Sequence, residues 1–452
     1  MKDANAENIF QLDGKVPLGK AIPVGLQHVL AMFVANITPI MILANVCGLD
    51  HSLTAKLVQN AMIIAGIGTL IQLCPLWKIG SGLPIVMGIS FTFLNAAIFV
   101  GTTYSYGTII GCVIVGGLIE GVLGLFAKYW MKIIAPIVAA SVVVAIGFSL
   151  LTVGANSFAG GQGAADFGSW QNWVVGSTTL ICCLLFQIFA KGYLKVISVL
   201  FGLIAGYVLA ICLGMVDFSV FNDTAIVAAP AVLPFKPEFN LGAIISFVVI
   251  FLVSATETIG DSTALAETGL GRQIEKKELS GSLAADGFVS SIAGVFGCTP
   301  ITSFSQNIGL VAMTKVVNRF TIGTGAIIMI VAGIFPAFGK ALTTVPQAVL
   351  GGCTIMMFGT IVVAGFQMVG KCGYSQRNTT IVALSLSVGL GFTQLKDMFK
   401  IFPKIVQSVF AENCVAVVFV LAIILNLVLP KDREENTSGN KPADTGTSLY
   451  LG

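Results

Sequence analysis

Apolar runs of bilayer-spanning length recur along most of the chain, separated by short polar turns. The pattern predicts fourteen spans, at 23–46, 55–74, 80–100, 107–127, 133–154, 172–190, 194–215, 241–266, 279–297, 299–316, 322–342, 345–367, 378–393 and 410–429. The third and the tenth are interrupted. Gly80 to Phe93, GSGLPIVMGISFTF, combines glycines, Pro84, a short alternating run and a new apolar helix opening at Ser90-Phe91. Gly297 to Arg319, GCTPITSFSQNIGLVAMTKVVNR, has the same grammar. Pro300 stops a helix, because it lacks an N–H and its ring clashes with the preceding turn. Thr302 to Gln306 then alternates like a short strand, and a half-length helix follows from Asn307.

Irregular backbone is tolerated at membrane depth only where it lines a cavity or is buried in protein. Alone, the stretch from Gly297 to Arg319 has an alternative reading as a re-entrant or connecting loop between two ordinary spans. Two interruptions at corresponding positions of two halves point to a transporter's substrate site near the bilayer midplane. Half-helix N-termini there offer free N–H groups and a positive dipole end.

The loop holding Asp217, Asp223, Pro230, Pro234 and Pro237 follows the seventh span and divides the spans seven and seven. An odd number per group makes the second enter from the opposite side, an inverted-topology repeat. The expected organisation is a cytoplasmic N-terminal tail at 1–22, a first repeat at 23–215, an inter-repeat loop at 216–240, a second repeat at 241–429, and a polar cytoplasmic tail at 430–452, expected to be disordered.

Composition agrees. Of 452 residues, 56% are hydrophobic and 10% charged, against about 25% charged in a soluble domain. The class is therefore an all-α polytopic membrane protein in the lipid bilayer. A net charge of +3 without a dense basic cluster gives no footing for nucleic acid. The polar N-terminus lacks the apolar core of a signal peptide. With the N-terminus inside, cytoplasmic loops hold Lys128, Lys132, Lys191, Lys195, Arg272, Lys276 and Lys277 among others, and the outside only Lys56, Lys236, Lys340, Lys396, Lys400 and Lys404. That bias puts both termini on the cytoplasmic side of the inner membrane. The ten cysteines lie mostly in apolar runs with no CxxC and read as packing residues. Each Gly-Lys pair is followed by Val, Ala or Cys, so no nucleotide-binding P-loop is present, and His28 and His51 are the only histidines. No metal, cofactor or enzymatic activity is expected. A proton gradient is the expected energy source.

Ionisable residues inside spans are costly and are functional candidates by default. Glu257 and Asp261 lie i, i+4 on one helix face of the eighth span. Asp286 lies in the ninth, His28 in the first and Glu120 in the fourth. The alternative for each is a hydrogen-bonded polar plug between helices, and this alternative is weakest for Glu257, whose helix opens the second repeat beside the broken tenth span. Two carboxylates one turn apart in a low dielectric do not both ionise easily, which suits loading and releasing a proton. Gln306-Asn307 at the break supplies amides that donate and accept. Carboxylate plus amide suits a flat ligand with alternating N–H and C=O groups. No Arg or Lys stands at the break to hold a phosphate.

From about Ile9 to Pro430 the chain resembles the nucleobase–ascorbate transporter family, and within it the bacterial xanthine and uric acid permeases. Three motifs carry the resemblance: Gln27-His28, Glu257-Thr-Ile-Gly-Asp261, and Gln306-Asn307-Ile-Gly309-Leu-Val-Ala-Met-Thr314-Lys315, which matches the signature Q-N-x-G-x-x-x-x-T-[RKG]. The resemblance implies a core domain (23–127 plus 241–342) that moves as an elevator against a gate domain (133–215 plus 345–429), with short strands of spans 3 and 10 meeting at the substrate. It implies proton-coupled uptake and a homodimer. It implies that Glu257 and Gln306 bind a purine side-on, that the backbone near Phe91 and Ser305 completes the site, and that Ser90 bears on the choice between xanthine and uric acid. Asp261, Asp286, Asn307 and His28 are then supporting or proton-coupling residues. The expected substrate is xanthine, with uric acid as a candidate second one. The alternatives are a uracil or other nucleobase permease, disfavoured by Gln306 where uracil carriers tend to be acidic, and an anion exchanger or channel of the same architecture. A non-transporting receptor leaves the two matched breaks unexplained.

Overall fold

The computed structural model describes residues 8–130, 134–219, 227–403, 406–411 and 413–430. The disorder expected of the C-terminal tail, and the loop positions Lys132, Asp223 and Lys404, fall outside the described residues.

The chain is helical and crosses the membrane repeatedly. In its first half run α1 (Leu18–Val46), α2 (His51–Leu73), β1 (Met87–Ile89), α3 (Leu94–Thr103), α4 (Tyr106–Leu125), α5 (Pro136–Phe158), α6 (Trp170–Phe189) and α7 (Ser198–Cys212). The second half holds α8 (Leu241–Leu270), α9 (Lys276–Val295), β2 (Ile301–Ser303), α10 (Ser305–Thr314), α11 (Arg319–Ile334), α12 (Pro336–Thr343), α13 (Gln347–Cys372), α14 (Gln376–Gln394) and α15 (Cys414–Val428). Each apolar stretch read from the sequence overlaps a helix. Among the described residues, however, seven helices are long and apolar enough to cross a membrane, or eight if α11 and α12 count as one bent span. The others are short or polar. The half-helices α3 and α10 have 10 residues each, α7 and α15 have 15 each, and Glu and Lys residues open α9.

Three boundaries differ from the sequence reading. The first helix begins at Leu18 rather than in the twenties, with Pro17 as its N-cap, so that Pro23 lies inside it and leaves one i→i−4 bond of its second turn unmade. The stretch 322–342 is not one straight helix: α11 and α12 meet at 80°, because Pro336 starts a new helix and cannot continue the old one. The second strand covers Ile301–Ser303, and its half-helix already starts at Ser305.

Glycine sets how closely the long helices approach. In lipid there is little hydrophobic drive between helices, so small residues that let backbones touch carry the packing. On α4, a Cβ at Gly117 would lie 2.6 Å from Ser291 N, and one at Gly124 2.4 Å from Ala284 N, both on α9. In return a Cβ at Gly287 of α9 would lie 2.0 Å from Gly121 N. The pair α5 and α13 is built the same way: a Cβ at Gly351 would lie 2.0 Å from Phe158 N, and one at Gly365 2.6 Å from Val144 N. These contacts are backbone and cannot rotate away.

Gly287→Val is therefore expected to sharply reduce folded, membrane-inserted protein, because overpacking costs about 1–3 kcal/mol or more where the neighbour is rigid. Gly391→Ala, where a Cβ meets nothing within 4 Å, is expected to fold like the parent. Fluorescence-detected size exclusion with a heating step reads both, and equal stability of the two variants contradicts this packing.

Candidate functional site

Strands β1 and β2 pair antiparallel at the centre of the molecule, with Met87 opposite Ser303, Gly88 opposite Thr302 and Ile89 opposite Ile301. All six residues are buried. A two-stranded sheet leaves outer backbone groups unpaired, and water is not there to take them. Side chains of the surrounding helices do so instead. Thr69 Oγ1 of α2 accepts from Met87 N at 3.0 Å, and Asn36 Oδ1 of α1 accepts from Ile89 N at 2.7 Å. On the other strand, Ser290 Oγ of α9 accepts from Ile301 N at 3.1 Å, and Asp286 Oδ2 of α9 accepts from Ser303 N at 2.9 Å. Beyond the strands, Ser90 N donates to Pro300 O at 3.0 Å and Phe304 N to Val86 O at 2.9 Å.

Glu257 and Asp261 of α8 face the start of α10. Thr92 Oγ1, just after β1, donates to Glu257 Oε2 at 2.8 Å. Ser305 Oγ stands 2.7 Å from Asp261 Oδ2 and 3.4 Å from Glu257 Oε1. One hydroxyl carries one proton, so Ser305 serves one carboxylate at a time, and the distances favour Asp261. Ser303 Oγ lies 3.5 Å from Asp261 Oδ2 and donates to Thr258 Oγ1 at 3.1 Å. Thr258 Oγ1 in turn donates to Asp286 Oδ2 at 2.5 Å. Gln72 Nε2 of α2 reaches Asp286 Oδ1 at 3.2 Å, while its Oε1 accepts from Ser81. Three carboxyl groups on two helices are thus linked through hydroxyls to both broken segments.

Other residues expected from the sequence sit around this network. Gln306 is half-buried and lines a cavity of about 410 Å³ whose walls include Leu30, Ala31, Lys195, Met356 and Thr360. Phe91 is buried and packs edge-on against Phe358 of α13, ring centroids 5.2 Å apart. Ser90 is buried beside it. His28 and Asn307 are not tied in by hydrogen bonds: both are buried, and His28 Nδ1 and both amide atoms of Asn307 have no partner among the described residues. Glu120 is likewise buried, and neither of its oxygens has a partner among the described residues, which show no hydrogen-bonded plug of the kind considered above.

Sequence reasoning passed over Asn36, Thr69, Gln72, Thr92, Thr258, Ser290 and Ser303. The available signal was a polar residue inside an otherwise apolar span, as in Thr69 and Gln72 of GTLIQLCP. Hydroxyl residues often bond back to their own helix, as Thr69 also does to Ala65 O at 2.8 Å, and this blunts the signal.

With the geometry in hand, comparison with known proteins gives the affiliation. The family model Xan_ur_permease, described as "Permease family", matches residues 19–398. The chain belongs to the nucleobase–ascorbate transporter family. Among its relatives, Xanthine permease XanQ of Escherichia coli (strain K12) is 35% identical over 452 residues, covering 96% of this chain and 96% of its own. Xanthine permease of Bacillus subtilis (strain 168) is 34% identical over 91% of this chain and 94% of its own, and Uric acid permease PucK of the same organism 35% over 83% and 87%. The fold is also that of the transmembrane domain of the cyanobacterial bicarbonate transporter BicA, with a TM-score of 0.60 at 14% identity over 88% of this chain and 98% of that one. Murine Solute Carrier 26 family member A9, inward-facing, gives 0.60 at 11% identity over 91% and 68%.

The transporter family's signature has a local reading here. It spans α10 nearly end to end, and Thr314 Oγ1 bonds back to Leu310 O at 2.8 Å. Lys315 caps the helix with φ 59°, a left-handed conformation in which Gly is at ease, which fits the Gly alternative at this signature position. Its Nζ donates to Thr268 O of α8 at 2.8 Å.

Asp286→Ala leaves the Ser303 N–H and the Thr258 hydroxyl without an acceptor. At about 1–3 kcal/mol per buried unsatisfied group, a marked fall in thermal stability is expected, and Asp286→Asn, which keeps an acceptor oxygen, is expected to lose less. Melting of the purified variants checks the order, and an Asp286→Ala protein as stable as the parent contradicts it.

Proposed function

We propose that this protein takes up xanthine, with uric acid as a second substrate, coupled to protons across the cytoplasmic membrane. The carrying observation is that Glu257 and Asp261 both stand within reach of the Ser305 hydroxyl where the two broken segments meet. An oxidised purine such as xanthine presents adjacent N–H and C=O groups at its edge. Glu257 accepts from the N–H groups, Gln306 pairs with the neighbouring C=O and N–H, and the backbone near Phe91 and Ser305 completes the contact. Ser90 tunes the choice of base. Asp261, Asp286, Asn307 and His28 support binding and proton movement, with no cofactor. Support comes from relatives whose names specify xanthine and uric acid.

In this reading the fourteen stretches form two inverted repeats. A core (23–127 plus 241–342) slides as an elevator against a gate (133–215 plus 345–429), both termini are cytoplasmic, and the protein works as a homodimer. Anion exchange is the rival on this fold, since a named neighbour is a bicarbonate transporter. A carboxylate pair facing the site opposes an anion, so the nucleobase reading stands ahead of it.

Uptake of labelled xanthine by cells carrying Glu257→Gln and Glu257→Asp tests the assignment, with surface expression measured in parallel. Glu257→Gln removes the charge and the proton site, and with them a charge-assisted bond of about 1.5–3 kcal/mol. Active uptake is expected to vanish. Glu257→Asp keeps the charge one methylene short, and partial uptake is expected. If Glu257 only fills space between helices, the neutral amide is the cheaper group to bury and the order reverses.

A further inference from the structure

At the end of the molecule where α1 and α3 finish and α13 and α15 begin, two cavities of about 560 and 180 Å³ adjoin, sharing Val46, Asn95, Ile98, Thr152 and Gln162. Their walls come from both proposed domains: α1 and α3 on one side, α5, α14 and the starts of α13 and α15 on the other. Among the described residues, those lining the two cavities include no Asp, Glu, Lys, Arg or His. The smaller is lined by the amides of Asn45, Asn95, Asn156, Gln162 and Gln347, and the larger adds the rings of Phe99 and Phe148.

Amides present paired donors and acceptors, and phenylalanine presents flat apolar surface. The ligand that matches both is an uncharged, flat nitrogen heterocycle with alternating N–H and C=O groups. The larger cavity falls in the range of about 300–1,000 Å³ usual for small-molecule sites. Asn95 also ties the cavity wall to the segment that holds Glu257. Asn95 stands three residues after Thr92, the donor to Glu257, so the two lie on one side of the chain about one helical turn apart. Asn95 Nδ2 itself donates to Ser149 O of α5 at 3.1 Å, bridging the two domains at the cavity wall.

We propose that this pair of cavities is an amide-lined antechamber, a second binding site that holds the nucleobase before it passes to Glu257. The proposal rests on the nucleobase reading above and adds a site to it.

The test uses the full-length protein in lipid nanodiscs, with Thr152→Cys as a reporter on the wall of both cavities. Alkylation at position 152 by N-ethylmaleimide is followed by peptide-resolved mass spectrometry. The reporter is combined with Glu257→Gln, which disables the main site. Xanthine is expected to slow alkylation at least threefold in this background, and adding Asn156→Leu and Gln162→Leu is expected to raise the half-protecting concentration at least tenfold. An alkylation rate indifferent to xanthine, or protection unaffected by loss of the two amides, overturns the antechamber. Xanthine uptake by the parent protein is measured separately: its absence defeats the functional reading, while the alkylation result still decides the cavity.

Discussion

The constraint on which this structure depends is that a strand pair at membrane depth has no water to satisfy its outer backbone groups. A helix satisfies its own backbone; a two-stranded sheet does not. Here the missing acceptors are Thr69, Asn36, Ser290 and Asp286, brought from α1, α2 and α9 to within 3.1 Å of four strand N–H groups. The centre of the protein is therefore polar by necessity. Asp286 does two things at once, holding the Ser303 backbone and closing a hydroxyl relay that runs through Thr258 toward Asp261.

Breaking two spans also creates the site. Each break leaves a half-helix, α3 and α10, starting beside the strands rather than at a membrane surface. Thr92, just before α3, donates to Glu257, and Ser305, which opens α10, stands within reach of both Glu257 and Asp261 on α8. The glycine contacts of α4 with α9 and of α5 with α13 hold the surrounding helices at backbone distance. The broken segments are thus framed by stiff pairs, which is what a site needs if its groups are to stay in register while the molecule moves.

Much of this was legible in the chain. Pro84 and Pro300, each followed by a short alternating run, located both strands, and the i, i+4 spacing located Glu257 and Asp261 on one face. The exact start of α10 was not legible, because Ser305 and Gln306 suit a strand or a helix equally until the pairing partner is known. The bend at Pro336 was hidden in a run whose apolar character continues on both sides of it. The hydroxyls at positions 92, 258 and 303 were missed for a physical reason: a Ser or Thr within a span usually bonds to its own helix, and only three-dimensional proximity reveals one that does not.

The central claim is that a nucleobase binds where the two broken helices meet α8. A cryo-electron microscopy structure of the purified protein with xanthine tests it most directly. The account predicts the base within hydrogen-bond distance of the Glu257 carboxylate and the Gln306 amide, with Ser305 at its edge. Xanthine bound at another place, with Glu257 still held by Thr92 and Ser305 alone, contradicts it.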